Sequence, residues 1–151
     1  MNNMKKTILL LSLTLIASIT FGQNSTNELT EKFFKKYETN TDEAFDYIFG
    51  TNKWMGENKD GTEKVKFQLR EYANLMGEYI GFEKLYEKSV GESLKVSVYL
   101  VKYDRQPLRF IFKYYKGRDK WKLFNLKFDE NIDEELEEIM KYEYLVGNEV
   151  Q

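Results

Sequence analysis

The chain has no cysteine and no histidine among its 151 residues. Without cysteine there is no disulfide, and no lipid-modified residue of the kind that begins a mature bacterial lipoprotein. Without histidine the commonest general base near neutral pH and the commonest transition-metal ligand are missing. Together the two absences exclude Ser-His, Cys-His and zinc-hydrolase mechanisms whatever the fold, and no metal or other cofactor is expected. Proline occurs once, at Pro107, and the nine glycines are scattered. No Gly-Lys-Ser or Gly-Lys-Thr is present, so nucleotide hydrolysis has no support. A large charge of one sign is lacking too, with 23 basic residues against 25 acidic ones, and no nucleic-acid partner is expected.

Long hydrophobic runs are also scarce, and the one that exists lies at the start. Thr7 to Ile19 (TILLLSLTLIASI) is apolar for 13 residues, follows Lys5 and Lys6, and precedes Thr20-Phe21-Gly22, which places a small residue before a cut. A membrane-crossing helix needs about 20 such residues, so this run does not suffice as an anchor. Residues 1 to 22 read as a secretory signal peptide, with the mature chain starting at Gln23, exported to the periplasm or fully secreted and not membrane-anchored. Cleavage there leaves 129 residues, enough for one domain, and moves the net charge from −2 to −4 by removing two lysines and no acid.

Ser25 and Glu28 make a capping box, after which Leu29, Phe33 and Tyr37 share one helical face. Thr41 is positioned to cap a second helix with Ala44, Phe45, Ile48 and Phe49 as its stripe, ended by Gly50. Gly50 to Gly61 reads as a polar loop holding Trp54 and Met55. Its Gly56 to Gly61 segment resembles part of an EF-hand loop, but Gly56 and Phe67 fall where carboxylates belong. Asp60 with Glu63 suggests a capping box for a third helix carrying Val65, Leu69, Tyr72, Ala73 and Met76, closed by Gly77.

The period then falls to 2. A strand over Phe82 to Val90 is followed by strands over Leu94 to Val101, Leu108 to Tyr115 and Trp121 to Phe128. Gly91-Glu92-Ser93, Asp104-Arg105-Gln106-Pro107 and Gly117-Arg118-Asp119 form the turns. Asp133 is placed to cap a short acidic helix over about 133 to 145, with Ile132, Leu136, Ile139 and Met140 on one side. Helices followed by a meander predict an α+β domain, with three N-terminal helices packed on a curved four-stranded antiparallel sheet and a short C-terminal helix.

This order, with MGEYIGFEKLYEKSV leading into LKVSVYLVKY, LRFIFKYYKG and KWKLFNLKF, resembles the nuclear-transport-factor-2-like superfamily of cystatin-like, cone-shaped α+β domains over roughly residues 26 to 130. The resemblance rests on pattern, because the superfamily has no diagnostic motif. It implies a pocket between sheet and helices, which in enzymatic members holds an Asp base and a Tyr donor. No Asp lies inside an apolar strand here, so isomerase activity is not carried over. The family's usual hairpin between its second and third helices is replaced by the Gly50 to Gly61 loop.

Asn125 interrupts a face carrying Trp121 and Leu123, where alternation calls for an apolar residue, so Asn125, Trp121 and Trp54 are the candidate pocket residues. Lys113 to Lys122 interleaves cations with aromatic rings, a mixture suited to stacking on sugars or bases while holding anionic groups but more ordinary as a solvated hairpin. Both strand faces are apolar. Tyr99, Val101, Tyr103, Ile111 and Tyr115 are read as an exposed face, opposite Val96, Val98, Phe110 and Phe112, and therefore as a homodimer interface. A folded-back C-terminal helix is the other cover for it. The functional reading is an exported, non-enzymatic domain that binds a small ligand or envelope partner. Its rivals are a carboxylate and tyrosine enzyme acting on an apolar or carbohydrate substrate, and an envelope assembly protein acting by dimerisation.

Overall fold

The computed structural model describes residues 25–147, with side chains as far as Lys141, so the expected leader over residues 1–22 lies outside them. The elements run α1 (Thr26–Tyr37), α2 (Thr41–Gly50), α3 (Lys53–Glu57), α4 (Lys59–Met76), β1 (Tyr79–Val90), β2 (Leu94–Tyr103), β3 (Leu108–Lys116), β4 (Trp121–Asp129) and α5 (Ile132–Gly147). The fold is α+β, with the four strands forming one antiparallel sheet in sequence order. None of the described helices is long and apolar enough to cross a membrane.

Short polar side chains set the helix starts, though not always the ones the sequence favours. The Ser25–Glu28 box forms as expected, each residue's side chain accepting the other's backbone N–H. Asn40, not Thr41, caps α2 through the Glu43 N–H. The expected Gly50 to Gly61 loop instead holds α3, capped by Asn52, and the first residues of α4, capped by Asn58 through the Gly61 N–H. Asparagine is as good an N-cap as aspartate, so Asn58 starts the helix two residues before the Asp60 box would. Among the described residues four helices therefore precede the sheet, not three. Gly77 ends α4 at φ +87°, a left-handed conformation that favours glycine. At the other end of the chain, α5 spans 16 residues and already includes Ile132, so the predicted short helix capped by Asp133 is longer at both ends.

The core lies between the N-terminal helices and one sheet face. Phe33 and Phe34 of α1, Phe45 and Ile48 of α2 and Leu69 of α4 meet Phe110, Phe112 and Tyr114 of β3, all fully buried. Phe33 meets Phe112 edge-on at 5.2 Å, and Phe34 stacks on Phe82 of β1 at 4.0 Å. Each buried ring contributes about 1.5–3 kcal/mol from area alone, and the edge contacts add about 0.5–1.5 kcal/mol per pair.

The strand register corrects the expected division of faces. Cross-strand partners share a face, and Tyr99 pairs with Phe110, Val101 with Leu108 and Val98 with Ile111. Tyr99, Val101 and Tyr103 accordingly belong to the buried, helix-facing core rather than to an exposed interface. The opposite face carries Val96, Val98, Leu100 and Arg109 together with Ile111 and Tyr115. The sequence pattern assigned the wrong partners because alternation within each strand does not determine the phase between strands.

Candidate functional site

The edge of β4 is where the helical and strand elements leave a cleft. At its middle the edge is closed by side chains from the α2–α3 junction. Thr51 Oγ1 accepts the Leu123 N–H at 3.0 Å, and Asn52 Nδ2 donates to the Leu123 carbonyl at 2.8 Å. These two bonds satisfy the groups that a neighbouring strand would otherwise take. Just beyond, the register between β3 and β4 slips, Tyr114 pairing with Leu123 and Lys113 with Asn125, so that Phe124 is the extra residue of a β-bulge. The bulge resets the alternation. Trp121 and Leu123 face the core before it, and Leu126 and Phe128 after it.

Asn125 is therefore not a polar residue inside the apolar face, as strict alternation implied; it is exposed at the edge strand. It does line a cleft of about 210 Å³ between α3, α4 and β4. Phe49, Met55, Val65 and Leu126 supply its apolar walls, and Asn58 and Asn125 supply amides. Asn58 is held in place by its capping bond to Gly61. Trp54 precedes the lining residue Met55 but is 74% exposed, with the Lys53 ammonium 5.9 Å from its ring. Trp121 is elsewhere, half-buried against the core near the hairpin, with Lys95 and Lys116 ammonium groups at 5.7 and 5.3 Å from its ring. The structure thus brings one of the three proposed pocket residues to a cleft and separates the other two from it.

A second cleft, of about 470 Å³ and wide open, lies at the β3–β4 hairpin between Tyr115, Gly117, Arg118, Asp119, Lys120 and Lys122. Gly117 packs so closely on Tyr115 that a Cβ there would stand 3.1 Å from the ring.

The outer sheet face holds a buried ion cluster that the sequence reading missed. Arg109 bonds Asp129 with Nε and Nη2 at 3.0 and 3.2 Å and Glu135 with Nη1 at 2.7 Å. Burial works against the charge on Asp129, but the Arg109 guanidinium, with Lys127 and the Asn131 N–H, overrides it and holds the carboxyl below its ordinary range. The signal was present, since Arg109 is the one cation among the first five residues of β3, and its antiparallel partner across β4 is Asp129.

Tyrosines account for most of the buried hydroxyls. Tyr37 and Tyr103 hydrogen-bond each other beside Tyr79. Thr30 gives its proton to the Thr26 carbonyl at 2.8 Å, so the 2.6 Å bond between Thr30 and Tyr114 is donated by the phenol. Burial raises the Tyr37, Tyr79 and Tyr114 phenols, Tyr79 to about 12, with Tyr103 adding to the rise at Tyr37 and Glu38 at Tyr79 while the Thr30 hydrogen bond opposes it at Tyr114, so these phenols stay neutral. No group of three or more acidic residues that could hold a metal ion occurs among the described residues.

No protein-family model matches the chain, and no curated protein or solved structure matches it either.

Proposed function

We propose that this chain is an exported, non-enzymatic domain, nuclear-transport-factor-2-like in layout, that holds one side chain of an envelope partner in the cleft between α3, α4 and the edge of β4. The observation that carries this reading is the cleft's construction, with apolar walls from Phe49, Met55, Val65 and Leu126 and two amides at Asn58 and Asn125. Apolar lining with a few placed polar groups is the usual composition of a recognition pocket. Its volume of about 210 Å³ is below the roughly 300 Å³ at which small-molecule sites begin, which favours an inserted side chain over a free ligand. The exposed edge beyond the Asn52 clamp leaves room for the partner's backbone.

The enzymatic alternative draws less support. The space between helices and sheet, where a cone-shaped pocket would lie, is filled by Phe33, Phe34, Phe45, Phe110 and Phe112. The buried carboxylate of Glu135 faces Arg109 on the other side of the sheet, away from the tyrosine cluster.

Photo-crosslinking tests the reading in cells that export the chain. A photoreactive residue at position 125 should trap a partner, the adduct should vanish with Val65→Glu, and the same probe at exposed position 88 on β1, the far edge of the sheet, should give none. Equal labelling from positions 125 and 88 would sink the proposal. The same cells report on export, since mass spectrometry should find the mature N-terminus at Gln23.

A further inference from the structure

The hairpin between β3 and β4 carries charge that neither the core nor the β4 cleft uses. Lys113, Lys116, Arg118, Lys120 and Lys122 surround a single acid, Asp119. Among the described residues none of these five cations has a carboxylate within ion-pair reach, although most other parts of the chain pair theirs. The acidic start of α5, Asp133 and Glu134, follows the opposite end of β4. Nine residues of strand separate the two ends by about 30 Å, several times the screening length of about 8 Å at physiological salt. The hairpin is therefore locally positive on a chain that is negative overall.

Aromatic surface is built into the same place. Tyr115 is 38% exposed and lines the open cleft, its ring fixed against the Gly117 backbone and the Lys122 ammonium 5.5 Å from its centre. The fixed position matters because a ring already held still loses little entropy when a ligand stacks on it. Trp121, with two further ammonium groups near its ring, begins the next strand. A flat apolar ring beside several unpaired cations matches a ligand that alternates sugar rings with negative groups.

We propose that the β3–β4 hairpin binds an acidic polysaccharide, with Tyr115 stacking on a sugar ring and Arg118, Lys120 and Lys122 holding its anionic substituents. The preference for a saccharide over a nucleic acid rests on the exported reading above, and the site is separate from the β4 cleft. Disabling the hairpin should therefore leave the crosslink at position 125 unchanged.

The test uses residues 23–151 with four probes at about 0.15 M salt: dextran sulfate, neutral dextran, inorganic polyphosphate and duplex DNA. Dextran sulfate should bind, with log affinity falling linearly in log salt, and neutral dextran should not. Arg118→Glu combined with Lys120→Glu should weaken dextran sulfate binding by at least about tenfold, with an unchanged melting temperature because both positions are exposed. Tyr115→Ala should weaken dextran sulfate several-fold while leaving polyphosphate unaffected. The proposal is overturned if the wild type fails to bind dextran sulfate, or if the charge reversal binds it as the wild type does. It is equally overturned if Tyr115→Ala changes nothing, or if duplex DNA binds more tightly than dextran sulfate.

Discussion

Arg109 donates to Glu135 at 2.7 Å, and this contact ties the C-terminal helix to the sheet face opposite the aromatic core. Both residues are only 8% exposed, so the pair exists in a poorly solvated place and neither charge can be stranded cheaply. Arg109→Ala leaves Glu135 and Asp129 both without their guanidinium and should cost about 3–5 kcal/mol. Glu135→Ala should cost less, because Arg109 keeps both bonds to Asp129. Urea unfolding of the two variants gives the comparison, and an Arg109→Ala cost no larger than that of Glu135→Ala would contradict this account.

Thr51 and Asn52 should act together as a clamp on β4. Asn52→Ala removes the donor to the Leu123 carbonyl and the cap on Trp54, and should cost about 1–3 kcal/mol because the amide is buried. Thr51→Val leaves the Leu123 N–H without its acceptor at similar cost. Amide hydrogen exchange at Leu123 should accelerate in Thr51→Val and not in a control at exposed Lys53. An unchanged rate would mean that the clamp does not close the edge.

Much of the architecture is legible in the sequence because periodicity is a direct imprint of burial. Leu29, Phe33 and Tyr37 announce α1, and the alternation of Leu108, Phe110, Phe112 and Tyr114 announces β3 with its inward face. The phase between strands is not legible, since β2 and β3 are apolar on both faces and either pairing of Tyr99 buries large side chains. The bulge at Phe124 is equally silent: Phe124 and Leu126 are both apolar, and nothing in their order says which turns inward. Asn125 breaks the alternation of β4 only because the bulge shifts its phase, yet it lines a cleft. Helix starts are ambiguous in the sequence where Asn58, Asp60 and Thr62 are all competent caps.

Stability should fall at both extremes of pH. Asp129 and Glu87 are each opposed by burial but held below the ordinary carboxyl range by Arg109 and by Lys95, respectively. A depressed carboxyl stabilises the fold above its unfolded value near about 4, and that contribution is lost as pH falls through the folded value. The tyrosines act in the other direction. Tyr79 is raised to about 12 by burial and then by Glu38, and Tyr86 to about 12 by burial and then by Glu135. A raised phenol favours the folded state below the unfolded value near about 10, and its contribution is lost as pH climbs toward the folded value. Melting temperature should therefore plateau around neutrality, and the phenolates of Tyr37, Tyr79 and Tyr114 should form with unfolding rather than before it. A full tyrosine titration in the folded protein near pH 10 would refute the buried network.

Thr30 and Tyr114 should couple strongly. Thr30→Val strands the Tyr114 hydroxyl in a fully buried site and should cost about 1–3 kcal/mol. Tyr114→Phe costs less, because Thr30 retains its donation to Thr26. With Tyr114→Phe already present, Thr30→Val should cost markedly less than in the wild type, a non-additivity that a double-mutant cycle reads directly. Additive costs would mean that the two hydroxyls do not depend on each other.

The first turn of the C-terminal helix should cover the outer sheet face around Val98, while Leu136, Ile139 and Met140 farther along it stay exposed. Val98 is only 1% exposed although it belongs to that face and not to the helix-facing core. Its cross-strand partner Tyr86 interacts with Glu135, and Arg109, two residues along from its other partner Ile111, bonds the same carboxylate. Val98 therefore lies beneath the first turn of α5. Wild type should be monomeric by light scattering. Deleting residues 131–151 should uncover Val98, Leu100 and Ile111 as a patch beside the already exposed Tyr86, and patches of a few hundred Å² drive association. The truncated chain should aggregate or dimerise, and Ile111→Lys in that background should return it to a monomer with its helical content intact. A truncated chain that stays monomeric without Ile111→Lys would show that the helix covers nothing of consequence. A dimeric wild type would instead place the contact on what α5 leaves open, Val90, Leu94 and Tyr115.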